Sequence, residues 1–302
     1  MKIIKKIVLF FLVLFSLVSI WYLFIKANDF EVVINVKTTP GTVYQNALDW
    51  NKNLNIDKAR TSIREKEPFQ RLVHTYNFES HQLEFDWDIY KINDSITKVA
   101  IGINDLNHSI STRIKKLIGT SKIEGFLNQE FSGFNKVLTK QIKQFKIKID
   151  GEENTPETYV AYVAISCDQG EKANNMIHNS TYINTFLIDH KIKLKTNPFV
   201  EITDWNINTR KINFNFCFPI EQQSNFPFHE EIKYKKVTAK KSLKATFYGN
   251  YSFTDNAWYA LYQYAKENQL KSIQTITEVF YDNPHTGGKD STWKAAIYMG
   301  IE

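Results

Sequence analysis

The sequence predicts an α+β protein with three parts: an N-terminal transmembrane helix, a domain of strands closed by a long helix, and a pseudo-two-fold repeat of strand-helix-strand-strand units. Three observations carry this prediction. An apolar run covers residues 7–25, a stripe of large apolar residues covers 127–145, and an acidic strand motif at 276–284 echoes one at 199–206. Self-similarity at a fixed offset constrains the architecture, so the second half is predicted to consist of two similar units.

Composition excludes several classes of protein. The chain has 302 residues, is 43% hydrophobic and contains few Gly and Pro, which is typical of two packed domains. A net charge of +6 raises the question of nucleic acid, but no helix-turn-helix, zinc-finger or RNA-binding signature supports such a partner. The seven His are scattered, and Cys167 and Cys217 lack metal-ligand spacing, so we expect no metal and no cofactor. The two cysteines fit either a disulfide between neighbouring strands or two free thiols.

The apolar run is long enough to span a membrane, since 19 helical residues extend ~28 Å. Lys2, Lys5 and Lys6 precede it and only Lys26 follows closely, which places the N-terminus in the cytoplasm. The alternative is a cleaved signal peptide, but the run exceeds an ordinary signal core and no small-residue cleavage site follows. We therefore predict that residues 1–27 are a cytoplasmic N-terminus and signal anchor. The protein would be single-pass in the bacterial inner membrane, with its C-terminal domains on the periplasmic or extracytoplasmic side.

Residues 28–150 alternate strands with two helices. Val32, Ile34 and Val36 share one strand face, and Thr39-Pro40 is a helix-start signal. Charged, irregular sequence is expected from 51 to about 67, followed by hairpin strands at 83–90 and 96–103 with a turn at 93–95. The amphipathic stripe then predicts one long helix, with these residues on one side: Leu127, Phe131, Phe134, Leu138, Ile142 and Phe145.

Three motifs in this region are Val32-x-Ile-x-Val36, Thr39-Pro40-x-x-Val43-Tyr44-x-x-x-Leu48-Asp49-Trp50, and the Trp87 strand followed by Thr97-x-Val99. With the order of elements, they resemble the START-like domain (SRPBCC, polyketide-cyclase-like). The resemblance implies a helix-grip fold over residues 28–150. It also implies a ligand cavity, which is either open or filled by side chains. From their helical spacing, the phenylalanines of the long helix are expected in the core.

The second half begins after a polar stretch at 151–156 that carries Gly and Pro. Repeats are predicted at about 157–220 and 240–302, joined by a polar crossover. Each contains a strand, a helix, a strand with one acidic residue (Glu201 or Glu278) and a closing strand. Thr254 or Asp255 is expected to cap the second helix.

Further motifs lie in the second repeat: Phe247-Tyr-Gly249-x-Tyr251, Trp258-x-x-Leu261-x-x-Tyr264 and Glu278-Val-Phe-Tyr-Asp-Asn-Pro284. Residues 155–302 thereby resemble the bacterial effector-binding domain, a gyrase-inhibitor-like (GyrI-like, AraC-type) module. The resemblance implies two halves around an aromatic groove with an acidic residue for lipophilic cations. Phe280 stands where the family usually has Tyr, and Ala295-Ala296 stand where an acidic residue is frequent, so we expect one carboxylate anchor.

A carboxylate among aromatic rings costs several kcal/mol to desolvate unless it is paired, and an organic cation can pair with it. Aromatic faces add about 0.5–2 kcal/mol each through cation–π attraction. The candidate ligand-binding residues are Glu278, Trp258, Tyr262, Phe280, Tyr281 and Trp293. The alternatives are that Glu278 lies on a solvated strand face, that Trp258 and Tyr262 are core, and that Glu201 is its structural counterpart.

These features predict a membrane-anchored protein that binds small lipophilic molecules, cationic ones among them. One alternative is a hydrolase of such compounds with Glu278 as base. Another is a non-catalytic envelope interaction protein with filled pockets. Because no nucleophile elbow or Ser–His–Asp order occurs, we name no catalytic residue and favour binding over catalysis.

Overall fold

A computed structural model describes residues 2–54, 61–93, 96–283 and 289–302. It contains two compact units, Met1–Thr139 (unit 1) and Lys140–Glu302 (unit 2). Helices accompany two antiparallel sheets, which confirms the α+β class. Positions 94 and 95 of the predicted hairpin turn lie outside the described residues.

Unit 1 begins with helix α1 (Lys2–Ile20), which continues as a π-helical turn over Trp21–Ile25. The segment Ile3–Ile25 has 23 residues, a mean hydropathy of 2.7 and no buried residues in its most apolar window. By length and composition it can cross a membrane. It is the one such helix among the described residues.

The rest of unit 1 is a five-stranded antiparallel sheet with three helices. The sheet order is β1-β5-β4-β3-β2. The elements are β1 (Phe30–Val36), α2 (Pro40–Leu54), β2 (Thr61–Glu67), β3 (Arg71–Phe78), β4 (His81–Asn93), β5 (Ile96–Asp105), α3 (Ser109–Leu117) and α4 (Lys122–Ile142).

Two expectations for unit 1 were wrong. Strand β2 lies in the region expected to be irregular; it is an exposed edge strand made largely of charged residues, so no apolar alternation marks it. The long helix ends at Ile142, and Phe145 instead begins a strand of unit 2 whose residues alternate between half-buried and exposed. A strand that starts in phase with the preceding helical stripe cannot be separated from it by periodicity alone.

Unit 2 contains an eight-stranded antiparallel sheet in the order β10-β7-β9-β8-β12-β13-β11-β6. Its elements are β6 (Phe145–Asn154), β7 (Thr158–Asp168), α5 (Lys172–Asp189), β8 (Phe199–Asn206), β9 (Lys211–Pro219), β10 (Lys233–Val237), β11 (Lys241–Gly249), α6 (Asp255–Glu267), β12 (Ser272–Phe280) and β13 (Lys294–Ile301). Strand β10 lies in the expected crossover, where charged residues on a sheet edge hide the strand pattern.

The register of β8 against β12 corrects the reading of the sequence echo. Glu278 is opposite Val200, and Glu201 is opposite Thr277. Directly opposed residues share a sheet face, whereas successive residues alternate between faces. Glu201 and Glu278 therefore point to opposite faces, and Glu201 is not the positional counterpart of Glu278.

The cysteines are free thiols. Their strands β7 and β9 are neighbours, but Cys167 is opposite Ile212 and Cys217 is opposite Tyr162. Five residues along a strand amount to roughly 17 Å. A disulfide requires Cα atoms within about 7 Å, so this register excludes the pairing.

Candidate functional site

Glu278 lies on the sheet face that carries the helices of unit 2. Along β12, Ile276, Glu278 and Phe280 alternate with more exposed residues and are themselves 1%, 0% and 6% exposed. The interpretation of Glu278 as a solvated strand residue is therefore wrong. A fully buried carboxylate needs compensation by hydrogen bonds or an opposite charge.

Lys172, in the first turn of α5, provides that charge. Its Nζ donates to Glu278 Oε1 and Oε2 at 2.6 and 2.7 Å, and to Thr254 Oγ1 at 2.9 Å. The lysine side chain is only 4% exposed. The hydrolase alternative needs a Glu278 oxygen as proton acceptor, and in this arrangement both oxygens accept from the ammonium.

Trp258 on α6 completes the surroundings of the pair. Its Nε1 donates to Glu278 Oε1 at 2.7 Å, and the Lys172 ammonium lies 4.5 Å from the centroid of its ring. The same tryptophan therefore stabilises the anion through its edge and the cation through its face. Among the candidate ligand-binding residues, Glu278 and Trp258 are therefore in direct contact.

A second polar group lies beside this pair, centred on Gln169. Its Nε2 donates to Asp255 Oδ2 at 2.8 Å, and its Oε1 accepts from Trp205 Nε1 at 3.1 Å. Tyr259 also contacts the Gln169 amide and Asp255. Burial raises the pKa of Asp255 above its ordinary value, although the charge of Lys172 acts in the opposite direction.

Sequence reasoning missed Lys172 and Gln169. Lys172 lies 106 positions before Glu278, and nothing in its surroundings distinguishes it from a solvated lysine at a helix start. Thr254 or Asp255 was expected to cap α6; Thr254 occupies the N-cap position, but its hydroxyl donates to Tyr251 O and accepts from Lys172 and makes no capping bond. These contacts join residues that are far apart in the chain, so they could be predicted only if the register of the strands were already known.

A cavity of about 270 Å³, the helix-side cavity, lies between α5 and the end of β12, beyond the ion pair along both elements. One wall is α5, where Met176 follows Lys172 by one turn; another is the end of β12, where Phe280 follows Glu278 by two residues. Its lining is mostly apolar: Met176, Ile177, Ser180, Asn184, Leu194, Thr196, Asn197, Pro198, Phe216, Tyr251, Phe280, Asp282 and Asn283. A mainly apolar pocket with a few polar groups is the usual form of a small-molecule site.

The other predicted aromatic residues are distributed around unit 2. Phe280 lines the cavity, and Tyr251 lies between it and Trp293, at ring distances of 4.7 and 5.3 Å. Tyr262 contacts Trp205, which also contacts Trp258. Tyr281 points to the opposite sheet face, is 49% exposed, and lines a second cavity of about 400 Å³.

On that opposite face, Glu201 has its own basic partners. Lys235 contacts Oε2, Lys240 Nζ donates to Oε1 at 3.3 Å, and Asn215 Nδ2 donates to Oε2 at 3.0 Å. Burial alone would raise the pKa of Glu201, but the hydrogen bonds from Lys235 and Asn215 and the lysine charges lower it below its ordinary value.

In unit 1, the ligand atoms of His81, Asp105 and His108 lie within 4.8 Å of one another, a spacing that could hold a metal ion. Asp105 is already engaged. Its Oδ2 accepts from Thr112 and contacts His81 Nδ1 at 2.6 Å, while its Oδ1 accepts from the backbone at the start of α3. Asp105 Oδ1 thus closes the turn just before α3, and these bonds satisfy the buried carboxylate within the protein.

Among solved structures, the chain is similar to the EcmrR C-terminal domain, with 16% identity, a TM-score of 0.40, and coverage of 52% of this chain and 98% of that one. It is similar to SAV2435 bound to tetraphenylphosphonium (8%, TM-score 0.35, 51% and 94%). It is also similar to a hydrolase encoded by lin2189 from Listeria innocua (10%, TM-score 0.33, 50% and 92%). Such low scores and identities do not transfer a function. No curated protein matches the chain.

The family comparison covers the whole of the predicted repeat region. Residues 151–302, half of the chain, match the family described as the GyrI-like small molecule binding domain. The match includes the ion pair, the Trp258 that contacts it, and the helix-side cavity. Through this domain, the chain belongs to the GyrI-like small-molecule-binding family.

Proposed function

We propose that unit 2 binds a lipophilic small molecule in the helix-side cavity. The observation that carries the proposal is the cavity itself: about 270 Å³, largely apolar, on the Glu278 face of a GyrI-like domain. Its volume is just below the range of about 300–1,000 Å³ that is usual for small-molecule sites, which favours a compact ligand. Phe280 and Tyr251 would supply aromatic faces, and Asp282 an exposed carboxylate at the rim.

The ligand charge that the site favours depends on Lys172. Because the lysine ammonium is bonded to both oxygens of Glu278, the pair presents little net charge to the cavity. A lipophilic cation can use Glu278 only by displacing Lys172; otherwise it is left with Asp282. We therefore propose that the wild-type protein prefers neutral over cationic ligands of similar shape.

Two probes test this, tetraphenylphosphonium as the cation and triphenylphosphine oxide as a neutral compound, titrated against the full chain in detergent micelles. Ile177→Ala and Phe280→Ala should weaken neutral binding by about 5–30-fold, since each removes roughly 1–2 kcal/mol of apolar contact. Ile188→Ala, at an exposed position of the same helix outside the cavity, is the matched control. Equal loss in the control, or no binding of either probe, would contradict the proposal.

A second titration tests the part played by Lys172. Lys172→Met removes the built-in cation, so affinity for tetraphenylphosphonium should rise about tenfold, equivalent to about 1.4 kcal/mol. Lys172→Met/Glu278→Gln lacks both charges and should show no such gain. If the cation binds equally to wild type and both variants, Glu278 has no part in recognition, while the cavity proposal can still stand on the neutral probe.

We infer that Ile3–Ile25 anchors the protein in the inner membrane, with residues 28–302 outside the cytoplasm. The hydropathy of the segment and the lysines before it support this orientation. Alkaline phosphatase fused after Glu302 should be active. An inactive fusion, with an active cytoplasmic reporter at the same site, would reverse the orientation.

We further infer that 157–220 and 240–302 are two copies of one unit. In each, the order along the chain is strand, helix, strand, strand. From the sheet centre outward, the order is β8, β9, β7 on one side and β12, β13, β11 on the other. The second, third and first strand of each copy thus follow in the same sequence. Superposition of the two segments in a crystal structure tests the inference, and failure of α5 to overlay α6 would refute it.

For unit 1 we propose a START-like helix-grip arrangement whose central space is filled. Trp50 stacks on Phe131 of α4 at 5.5 Å and contacts Trp87 at 5.4 Å and His74 at 5.8 Å. Burial lowers the pKa of His74 to about 3. If Trp50 fills the space, indole should raise the melting temperature of a Trp50→Gly variant and leave wild type unchanged. No effect on the variant would refute the filled-cavity proposal.

A further inference from the structure

Helix α3 has its polar and apolar faces reversed relative to an ordinary surface helix. It buries Thr112 and Arg113, which are 1% and 5% exposed. Its apolar residues point outward: Ile110, Ile114, Leu117 and the following Ile118 are 44%, 45%, 67% and 66% exposed. A surface helix of a soluble domain normally turns its apolar stripe toward the core.

The exposed residues form one continuous stripe. Positions 110, 114, 117 and 118 have the spacing that puts side chains on one side of a helix, and Leu106, 40% exposed, lies just before α3. A contiguous apolar surface of this kind marks a contact with a membrane or a partner. The position of α3 in unit 1 decides between the two.

Arg113 joins α3 to the end of the membrane-crossing segment. Its guanidinium donates to Tyr22 O at 2.7 Å and Lys26 O at 2.8 Å, and its Nε donates to Asp29 Oδ1 at 2.5 Å. Because Lys26 N bonds to Trp21 O in the π-helical turn, Tyr22 O lacks its usual helical donor, and the arginine replaces it.

The same contact sets the depth of α3. Trp and Tyr near the end of a membrane helix mark the level of the lipid headgroups, and Trp21 and Tyr22 occupy that position here. Arg113 therefore holds α3 at the boundary where the chain leaves the bilayer. Lys115, exposed beside the apolar stripe, is suited to anionic headgroups.

We propose that α3 is an interfacial membrane helix that inserts Ile110, Ile114, Leu117 and Ile118 into the boundary between headgroups and acyl chains. Unit 1 is then held to the bilayer at two places, by the crossing helix and by this surface. The proposal rests on the membrane anchor inferred above.

The test uses the full chain with Cys167→Ser and Cys217→Ala, reconstituted in vesicles of phosphatidylcholine with a minority of phosphatidylglycerol. A single cysteine at Leu117 carries an NBD fluorophore. We expect blue-shifted emission, at least fivefold protection from aqueous iodide, and stronger quenching by a shallow than by a deep lipid nitroxide. Ile63→Cys is the control, because Ile63 is 40% exposed on β2, at the sheet edge away from β1.

The other outcomes contradict either the proposal or the membrane anchor on which it rests. If the Leu117 label is as accessible to iodide as the Ile63 label, α3 is not in the interface. Protection from iodide without quenching by lipid nitroxides would mean that protein, such as a second copy, covers the stripe, and would also overturn the proposal. A label at Phe15, in the middle of α1, separates the two hypotheses: if the deep nitroxide does not quench it, the anchor itself is wrong.

Discussion

The two buried glutamates of unit 2 lie on adjacent strands, and both are paired with lysine, but their surroundings differ. Lys172 is 4% exposed and donates to both Glu278 oxygens, whereas Lys235 and Lys240 are 30% and 47% exposed and share Glu201. Water can replace a lost partner at Glu201 but not at Glu278. An enclosed pair depends on each partner, whereas a half-exposed cluster tolerates the loss of one.

The largest expected difference comes from removing one lysine at each site. Lys172→Met should lower the free energy of unfolding by about 3–5 kcal/mol, because it leaves a buried charge unpaired. Lys235→Met should cost about 0–1 kcal/mol, since water and Lys240 remain. Denaturant unfolding of the full chain in micelles measures both values.

The double variant Lys172→Met/Glu278→Gln serves as the control for that comparison. It should recover at least about half of the loss, because the isolated charge is gone. Equal costs for Lys172→Met and Lys235→Met would show that both sites are hydrated, and the contrast between them would fail.

Substitution of the aromatic neighbours should show the same contrast on a smaller scale, with the larger loss of stability at the Glu278 site. Trp258→Phe removes the Nε1 donor to Glu278 Oε1 and should cost about 1.5–3 kcal/mol, the range for hydrogen bonds to charged groups. Tyr162→Leu removes the ring 4.7 Å from Lys235 Nζ and should cost about 0.5–1 kcal/mol. Thermal unfolding resolves this difference, and a larger loss at Tyr162 would reverse the ranking.

The smallest expected effect is a pH dependence at Glu201. Its folded-state pKa lies below the ordinary value of 4.5, because hydrogen bonds and lysine charges outweigh burial. Its contribution to stability is therefore present above about pH 4.5 and is lost as pH falls through the folded-state pKa. Between neutral and acidic pH, the free energy of unfolding should therefore fall less for Glu201→Gln than for wild type.

Glu221→Gln, at an exposed position, is the matched control for this pH series. Its curve should follow that of wild type. If Glu201→Gln retains the full acid dependence, Glu201 is not among the groups that couple unfolding to protons.

Much of the fold could be predicted because the sequence patterns that indicate it are local. The apolar run, the strand-helix-strand-strand order and the motifs around Trp258 and Glu278 lie within short windows. Charged edge strands such as β2 and β10 carry no alternation, so they could not be found. The candidate site was predicted only in part: Glu278 and Trp258 are in contact, but Tyr281 points to the other sheet face.

The sequence by itself determined the α+β class, the apolar N-terminal helix and the GyrI-like second half, because periodicity, composition and motif order are properties of the chain. Only the tertiary structure decided that Lys172 neutralises Glu278, that Glu201 points away from it, and that α3 turns its apolar stripe outward. These features depend on strand register and on contacts between residues far apart in the chain. A shift of one residue in register reverses the face of a side chain without changing any local pattern.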